Sequence, residues 1–489
     1  MRQKRWQRAL ALGVVLAGVA AGCGSDADDE AASTTAQAGA ATPAAAGSGG
    51  AVKLANTVAG EDPAAWGVKD KKLTGPGGFE VDLSKCPANW KDAGGITDTE
   101  IRLGATGIFS GVAAASSGFV LGAEAYYNYI NATEGGVNGK KLTYTYKDNG
   151  YTAGQGKAAT DELLETANLF AFSAHTGSPI VLATYDKLNE SCLPNVYSVG
   201  AHPAFADPVN HPWTTGTWLS YDIEANLWAD YILAKYGKGT TVAALAWGNE
   251  FGTIYKNVFT RVAKEKGLNF VKVETHANDA ATVTNEMTTL ASSGADVFIA
   301  MTGANPAIQT MQYMAGSSWK PKERIVSSVN TALSQFTPVG AGADGWMMAG
   351  GPKDINDPAS ANDPFLKQWA ETLKKANLDY ASNGNMAKGA EFAWPTVENL
   401  KRAAQMPGGL TKSNFILAVR SFSAQHPMWA DGIKFELNGS KDGATIEGSQ
   451  FVRYTVAAGQ EKGTFVASGS IVDSNGKNPN CAWDGKECK

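Results

Sequence analysis

From residue 98 onward, short apolar runs alternate with segments whose apolar residues recur every three to four positions. Ile101 to Gly104 predicts a strand entering the loop ATGIFSG, and Val120, Ala123, Tyr127 and Ile130 mark one face of a helix over 118–132, broadened by Leu121 and Tyr126. In LTYTYKD (142–148), Leu142, Tyr144 and Tyr146 alternate with threonines, the period of a strand with two unlike faces. The same rhythm predicts a helix over 154–167, a strand over 169–173, a helix over 178–190 and a strand over 195–199. After a polar and aromatic passage it restarts: helix 223–236, strand 241–247, helix 253–266, strand 270–274, helix 282–293, strand 295–301, helix 306–316 and strand 324–329. Strands alternating with helices specify parallel sheets with crossover helices, and the restart specifies two doubly wound α/β lobes. The tail breaks the rhythm, with helices over 363–376 and 389–405 followed by strand-like IKFEL, FVRYTV and TFVAS. It therefore predicts returns through both lobes and a hinge of several crossings. The expected division is 98–222 with about 348–430 in lobe 1, and 223–347 with about 431–472 in lobe 2. A loop-rich extension, 51–97, precedes them, and a C-terminal extension, 473–489, follows.

The first 22 residues change the setting. Arg2, Lys4, Arg5 and Arg8 precede the apolar run ALALGVVLAGVAAG, whose 14 residues would span about 21 Å, too short for a bilayer of about 30 Å. They read as a signal peptide. Cys23 follows Ala20, Ala21 and Gly22 and resembles the lipidated cysteine of a bacterial lipobox. Residues 24–50 hold four acids and no large apolar side chain, the composition of a flexible tether. The chain is thus expected at the outer face of the cytoplasmic membrane, anchored through lipid on Cys23.

Composition narrows the partners. The 489 residues carry formal charge -5, and loss of the four basic groups before Cys23 makes the remainder more acidic, against binding nucleic acid by charge. Apart from Cys23 there are Cys86, Cys192, Cys481 and Cys488, which allow three pairings in an exported protein. The Asp484-Gly485 turn favours Cys481 with Cys488, leaving Cys86 for Cys192. No CxxC or closely spaced histidine pair suggests a metal site, and no cofactor is implied.

Over residues 98–470 the chain resembles the type I periplasmic binding proteins of branched-chain amino acid ABC transporters. The stretches that carry the resemblance are IRLGATGIFSG, GAEAYYNYINATEGGVNGKKLTYTYKDNGYTAGQGKAATDELL, TVAALAWGNEFG and GADVFIAMTGANPAIQTMQYM. The resemblance implies two lobes that close over a small solute and hand it to a membrane permease. It places a ligand carboxylate at His175 and Thr176, a second loop at Gly200 to His202, an aromatic contact at Phe251, and further contacts at Thr302, Gly303 and Asn305. Three positions depart from the family's pattern. His202 stands where a hydroxyl is common, Ser116-Ser117 where an aromatic wall is expected, and Val329-Asn330 where amino acid binders carry an acid for the ammonium.

Physical chemistry points to the same region, since ligands of open parallel sheets sit beyond the strands' carboxyl ends, at helix N-termini. Ser173 and the loop His175-Thr176-Gly177 follow one such strand, and Ala201-His202 another. Thr176, with N–H groups around Gly177 and Ala201 and aided by His175 or His202, is the expected holder of a carboxylate or amide oxygen. Glu250 could supply the charge missing at Asn330. With Trp218, Tyr221, Trp247 and Phe251 at hand, an aromatic acid or amide fits as well as a branched-chain amino acid.

Catalysis is not indicated: no GxSxG elbow or HExxH pair occurs, and GYTAGQGKA has the wrong glycine spacing for a P-loop and Ala158 where a hydroxyl is needed. The anchor is directly testable. Cys23→Ala should move the protein from the membrane to the soluble extracytoplasmic fraction, and retention in the membrane after a high-salt wash would refute lipidation.

Overall fold

In the computed structural model, residues 61–489 are described; the signal segment, Cys23, the tether and residues 51–60 lie outside them. Each lobe is built on a twisted sheet. In lobe 1, β4 (Glu100–Gly107), β5 (Lys141–Asp148), β6 (Ala171–Ser173), β7 (Asn195–Ser198) and β8 (Thr214–Gly216) run parallel in the order β5-β4-β6-β7-β8. In lobe 2, β9 (Thr241–Trp247), β10 (Asn269–His276), β11 (Val297–Met301), β12 (Glu323–Val326) and β13 (Met347–Gly350) repeat it as β10-β9-β11-β12-β13. The antiparallel strands β16 (Gly448–Thr455) and β17 (Thr464–Ala467) extend that sheet, and β18 (Val472–Asp473) pairs with the start of β16. The run TVAALAW is almost wholly buried because helices cover both faces of its sheet, whereas along edge strand β5 only Leu142 is fully buried.

The crossover helices are α1 (Ser117–Thr133), α2 (Ala153–Thr166) and α3 (Ser178–Glu190) in lobe 1, then α4 (Tyr221–Tyr236), α5 (Glu250–Lys266), α6 (Thr284–Ala291) and α7 (Ala304–Gly316) in lobe 2. A short α8 (Leu333–Phe336) follows β12, and α9 (Pro364–Lys375), α10 (Asn385–Gln405) and α11 (Lys412–Arg420) return to lobe 1. There the small hairpin β14 (Ser423–Ala424) with β15 (Phe435–Glu436) closes the return. The chain therefore passes between the sheets three times, between 216 and 241, between 350 and 385, and between 436 and 448. The ladders put 347–350 in the second sheet, while 435–436 pairs with 423–424 in the hairpin whose Phe435 joins the lobe 1 core.

Helix α10 is central to lobe 1 because glycines let it touch α1 backbone to backbone. A β-carbon at Gly122 would meet the Met386 carbonyl at 2.0 Å, and one at Gly389 would meet Gly122 itself at 2.2 Å. The extension before lobe 1 forms a three-stranded antiparallel sheet, β1 (Gly67–Lys69), β2 (Lys72–Thr74) and β3 (Glu80–Asp82), whose Leu73, Phe79 and Val81 join the lobe 1 core. Cys86 is bonded to Cys192, and the Trp90 indole donates to the Cys192 carbonyl. A second disulfide joins Cys481 to Cys488, and the Trp483 ring packs edge-on against His202.

Candidate solute-binding cleft

Both sheets have the strand order 2-1-3-4-5, in which connections leave in opposite directions from the first and third strands and open a crevice at their carboxyl ends. These crevices face each other. Ile108 follows β4, and Thr176, Gly177 and Ser178 follow β6; across the gap, Trp247 ends β9, Phe251 opens α5, and Gly303 and Ala304 follow β11. With Phe119, Tyr151, Trp218, Tyr221 and Val329 among the remaining walls, they enclose a volume of about 550 Å³, part of it open to solvent. Among the described residues, no Asp, Glu, Lys, Arg or His lines it.

The walls are held by aromatic edges. Tyr151 of lobe 1 meets Trp247 of lobe 2 with ring centres 5.1 Å apart, Trp247 meets Phe251 at 6.2 Å, and Phe251 meets Tyr221 at 5.0 Å. On the hinge side Phe119 stands edge-on to Trp218 at 5.3 Å. Such edge-to-face pairs add about 0.5–1.5 kcal/mol each beyond the area they bury. The Asn278 amide donates to the Tyr151 carbonyl at 3.1 Å, a polar clasp between the lobes.

In the loop after β6 the sheet ladder continues past the strand. The Thr176 N–H donates to the Thr106 carbonyl, the Gly177 N–H to Val199, and the Thr176 hydroxyl to the Ala174 carbonyl. The Ser178 N–H, first of α3 and without a side-chain cap, lies outside this ladder, and the Ser178 hydroxyl is 3.2 Å from the Tyr221 hydroxyl. Gly177 has φ of +106°, and a β-carbon there would press on Ile180 and Tyr151 at 3.0 Å, so glycine is needed where the backbone turns into α3.

Of the residues singled out in the sequence, Thr176, Gly177, Phe251 and Gly303 line the cleft together, with Trp218, Tyr221 and Trp247. His175 lies inside lobe 1: its Nδ1 accepts from the Thr106 N–H at 3.2 Å, which leaves Nε2 to donate to Thr184, and burial pulls its pKa down to about 3. His202 caps the turn at Pro203–Ala206, accepting from the Ala204 N–H, and is likewise held neutral by burial, with a pKa of about 3. Neither ring reaches the cleft wall. Ser173 is bonded between Tyr127 and Thr396 behind the sheet, and the Ala201 carbonyl accepts the Tyr221 N–H, positioning that wall. Thr302 is bonded to His276, while Glu250 and Asn305 point from their helices into solvent. Asn330 sits fully buried beneath Gly303.

Sequence reasoning passed over Tyr151, Gln335 and Asn385, which also line the cleft. It also passed over the buried carboxyls that brace its walls. Glu224 accepts from the Ser328 N–H at 2.8 Å and from the Ser328 and Tyr255 hydroxyls, fixing the loop that carries Val329 and Asn330. Glu391 accepts from the Trp218 indole N–H at 2.7 Å. Burial pushes both carboxyls up to about 7. Helix α10 contains Pro395, which leaves the Glu391 carbonyl without its helical donor, and His426 Nε2 lies 3.1 Å from that oxygen. The Met428 N–H donates to His426 Nδ1, so Nε2 carries the proton and makes the bond.

The two facing α/β lobes define a type I binding-protein fold, similar to that of a branched-chain amino acid ABC transporter protein from Thermus thermophilus with bound valine. The two share 17% identity at a TM-score of 0.68, over 78% of this chain and 98% of that one. A fatty acid ABC transporter substrate-binding protein from Thermomonospora curvata is similar over 83% of this chain and 98% of its own, with 19% identity and a TM-score of 0.65. A possible leucine/isoleucine/valine-binding protein from Rhodopirellula baltica reaches a TM-score of 0.64 at 14% identity, over 78% and 98% of the two chains. No curated protein sequence matches. The model of the periplasmic binding protein family matches residues 100–460, so the chain belongs to that family, whose members bind solutes and are not enzymes.

The raised Glu391 pKa has a defined sign. A buried acid that stays neutral stabilises the fold fully below its unfolded value of 4.5, and that contribution is lost as pH rises through about 7. Glu391→Gln should therefore gain stability relative to wild type between pH 4.5 and 8, by about 3 kcal/mol at about 1.4 kcal/mol per pKa unit. Urea unfolding at the two pH values measures it. An unchanged difference would show that Glu391 is ionised in the fold throughout.

Proposed function

We propose that this protein is the extracytoplasmic, lipid-anchored receptor of an ABC importer, capturing a small hydrophobic solute between its lobes and delivering it to a membrane permease. The observation that carries the reading is a cleft walled mainly by aromatic and aliphatic side chains, with no Asp, Glu, Lys, Arg or His among the described residues that line it. Such a site rewards apolar area at about 25 cal/mol per Å² and penalises any charge it cannot pair. Ser178, with its N–H and hydroxyl beside the Tyr221 hydroxyl, offers donors for a carboxylate or carbonyl oxygen at one end. Fixed N–H dipoles of this kind bind anions without a countercharge. The similar Thermomonospora protein is named for fatty acids and the Thermus protein holds valine, so relatives of this fold take both hydrophobic carboxylates and branched amino acids. An aromatic acid or amide is the second reading, favoured by the number of rings on the walls.

The test is a thermal-shift screen of branched-chain amino acids, medium-chain fatty acids, and aromatic acids and amides, followed by calorimetry of each hit against Trp247→Ala and Phe251→Ala. Each truncation removes about 1.5–3 kcal/mol of buried contact, so affinity should fall about 10- to 100-fold. Hits that bind both variants as they bind wild type would place the solute elsewhere and refute the reading.

A further inference from the structure

Three amide oxygens, two on the cleft wall and one just behind it, have no hydrogen-bond partner among the described residues: Gln335 Oε1, Asn385 Oδ1 and Asn330 Oδ1. All three side chains are more than nine-tenths buried, at 9%, 6% and 0% exposure. A buried, unpaired acceptor costs about 1–3 kcal/mol, so three together are a strong demand for donors. For two of them the orientation is fixed. Asn330 Nδ2 donates to the carbonyls of Thr302 and Ser327, and Asn385 Nδ2 faces the Ala115 carbonyl, so in each case the oxygen is the end left over. Gln335 and Asn385 line the cleft, and the Asn330 oxygen lies 3.7 Å from where a β-carbon would stand on Gly303, itself a wall residue.

The surroundings decide what kind of donor is welcome. One turn beyond Asn385, the fully buried Lys388 donates from Nζ to Thr331 Oγ1, beside Asn330, and stands 5.7 Å from the centre of the Trp218 ring. Two carboxyls face Lys388, Glu391 and Asp354, and Glu391 Oε1 has no partner among the described residues. Asp354 accepts the Leu333 and Asn356 N–H groups, and Glu391 accepts the Trp218 indole. A second ammonium placed here would approach the Lys388 ammonium, while burial pushes Glu391 toward its neutral form and Asp354 is taken up by two backbone N–H groups. A hydroxyl or amide N–H meets the same oxygens without adding charge.

We propose that Asn330, Gln335 and Asn385 form a subsite for an uncharged hydrogen-bond donor, so that the solute is a hydrophobic hydroxy acid or amide rather than an α-amino acid. This rests on the cleft being the solute site, and it assigns the head-group chemistry that the cleft selects. The donor head lies among the three amide oxygens, the acidic or carbonyl end lies at Ser178 and Tyr221, and the rings hold the body between them.

The experiment is calorimetry with two matched sets that differ in one group: 3-phenyllactate, phenylalanine and 3-phenylpropanoate, and 2-hydroxy-4-methylpentanoate, leucine and 4-methylpentanoate. In the wild type the hydroxy acid of at least one set should bind about tenfold or more tighter than its amino acid, and several-fold tighter than the acid lacking the hydroxyl. Gln335→Glu, which adds the missing carboxylate at a side chain that makes no other bond, should shift the preference about tenfold toward the amino acid. Gln335→Leu should erase the advantage of the hydroxyl, with melting curves confirming that both variants fold. Amino acids binding the wild type as tightly as the hydroxy acids, or a preference unmoved by Gln335→Glu, would overturn the subsite. Absence of heat with all six probes would overturn the assigned class, whereas the cleft reading itself fails only if screened solutes ignore the Trp247 and Phe251 truncations.

Discussion

Two parallel sheets of the same strand order point their carboxyl ends at each other, and the rest of the molecule is arranged around that constraint. A crevice at the first and third strands is unavoidable in this order, because the connections there part to opposite faces. One sheet alone would leave it open to water. Facing each other, β4 and β6 of one lobe and β9 and β11 of the other deliver their following loops into one shared space. The cleft is therefore a product of topology, and side chains set only its chemistry.

That chemistry is unusual in its division of labour. Charge is kept one layer behind the walls, where Glu224 holds the Ser328 loop and Glu391 holds Trp218, while the surface facing the solute is aromatic, aliphatic or amide. Glu391 depends in turn on a break in α10, where Pro395 removes a helical donor and His426 supplies another. Replacing His426 would strand a buried carbonyl next to the carboxyl that steadies a wall of the cleft. Polar groups far from the solute thus shape the cleft through one chain of hydrogen bonds.

Much of this architecture is visible in hydrophobic periodicity. The helix expected over 178–190 and the strand over 241–247 occur at those positions, since both are long, strongly patterned and bounded by turn residues. Some short elements escape such reading: β8, with sequence TTG, carries no large apolar side chain, β13 (MMAG) does not alternate, and the 67–82 sheet is punctuated by glycines. At the site, proximity in sequence to a strand end points to the Thr176–Gly177 loop and Phe251, which line the cleft, but does not tell which way a side chain turns. His175 and His202 stand in loops that follow strand ends, yet their rings turn away from the cleft, toward Thr184 and Trp483. Gln335 and Asn385 lie far apart in the chain, on α8 and at the start of α10, and only the hinge crossings bring them to one end of the cleft.

The central claim is that solute is held between lobes that close on it about the three crossings. In the structure Tyr151 and Trp247 touch across the cleft and Asn278 clasps the Tyr151 carbonyl, contacts that a hinge opening would break. Small-angle X-ray scattering with and without a saturating solute measures this most directly. The account predicts a smaller radius of gyration on binding, whereas an unchanged profile with occupancy confirmed by calorimetry would contradict it.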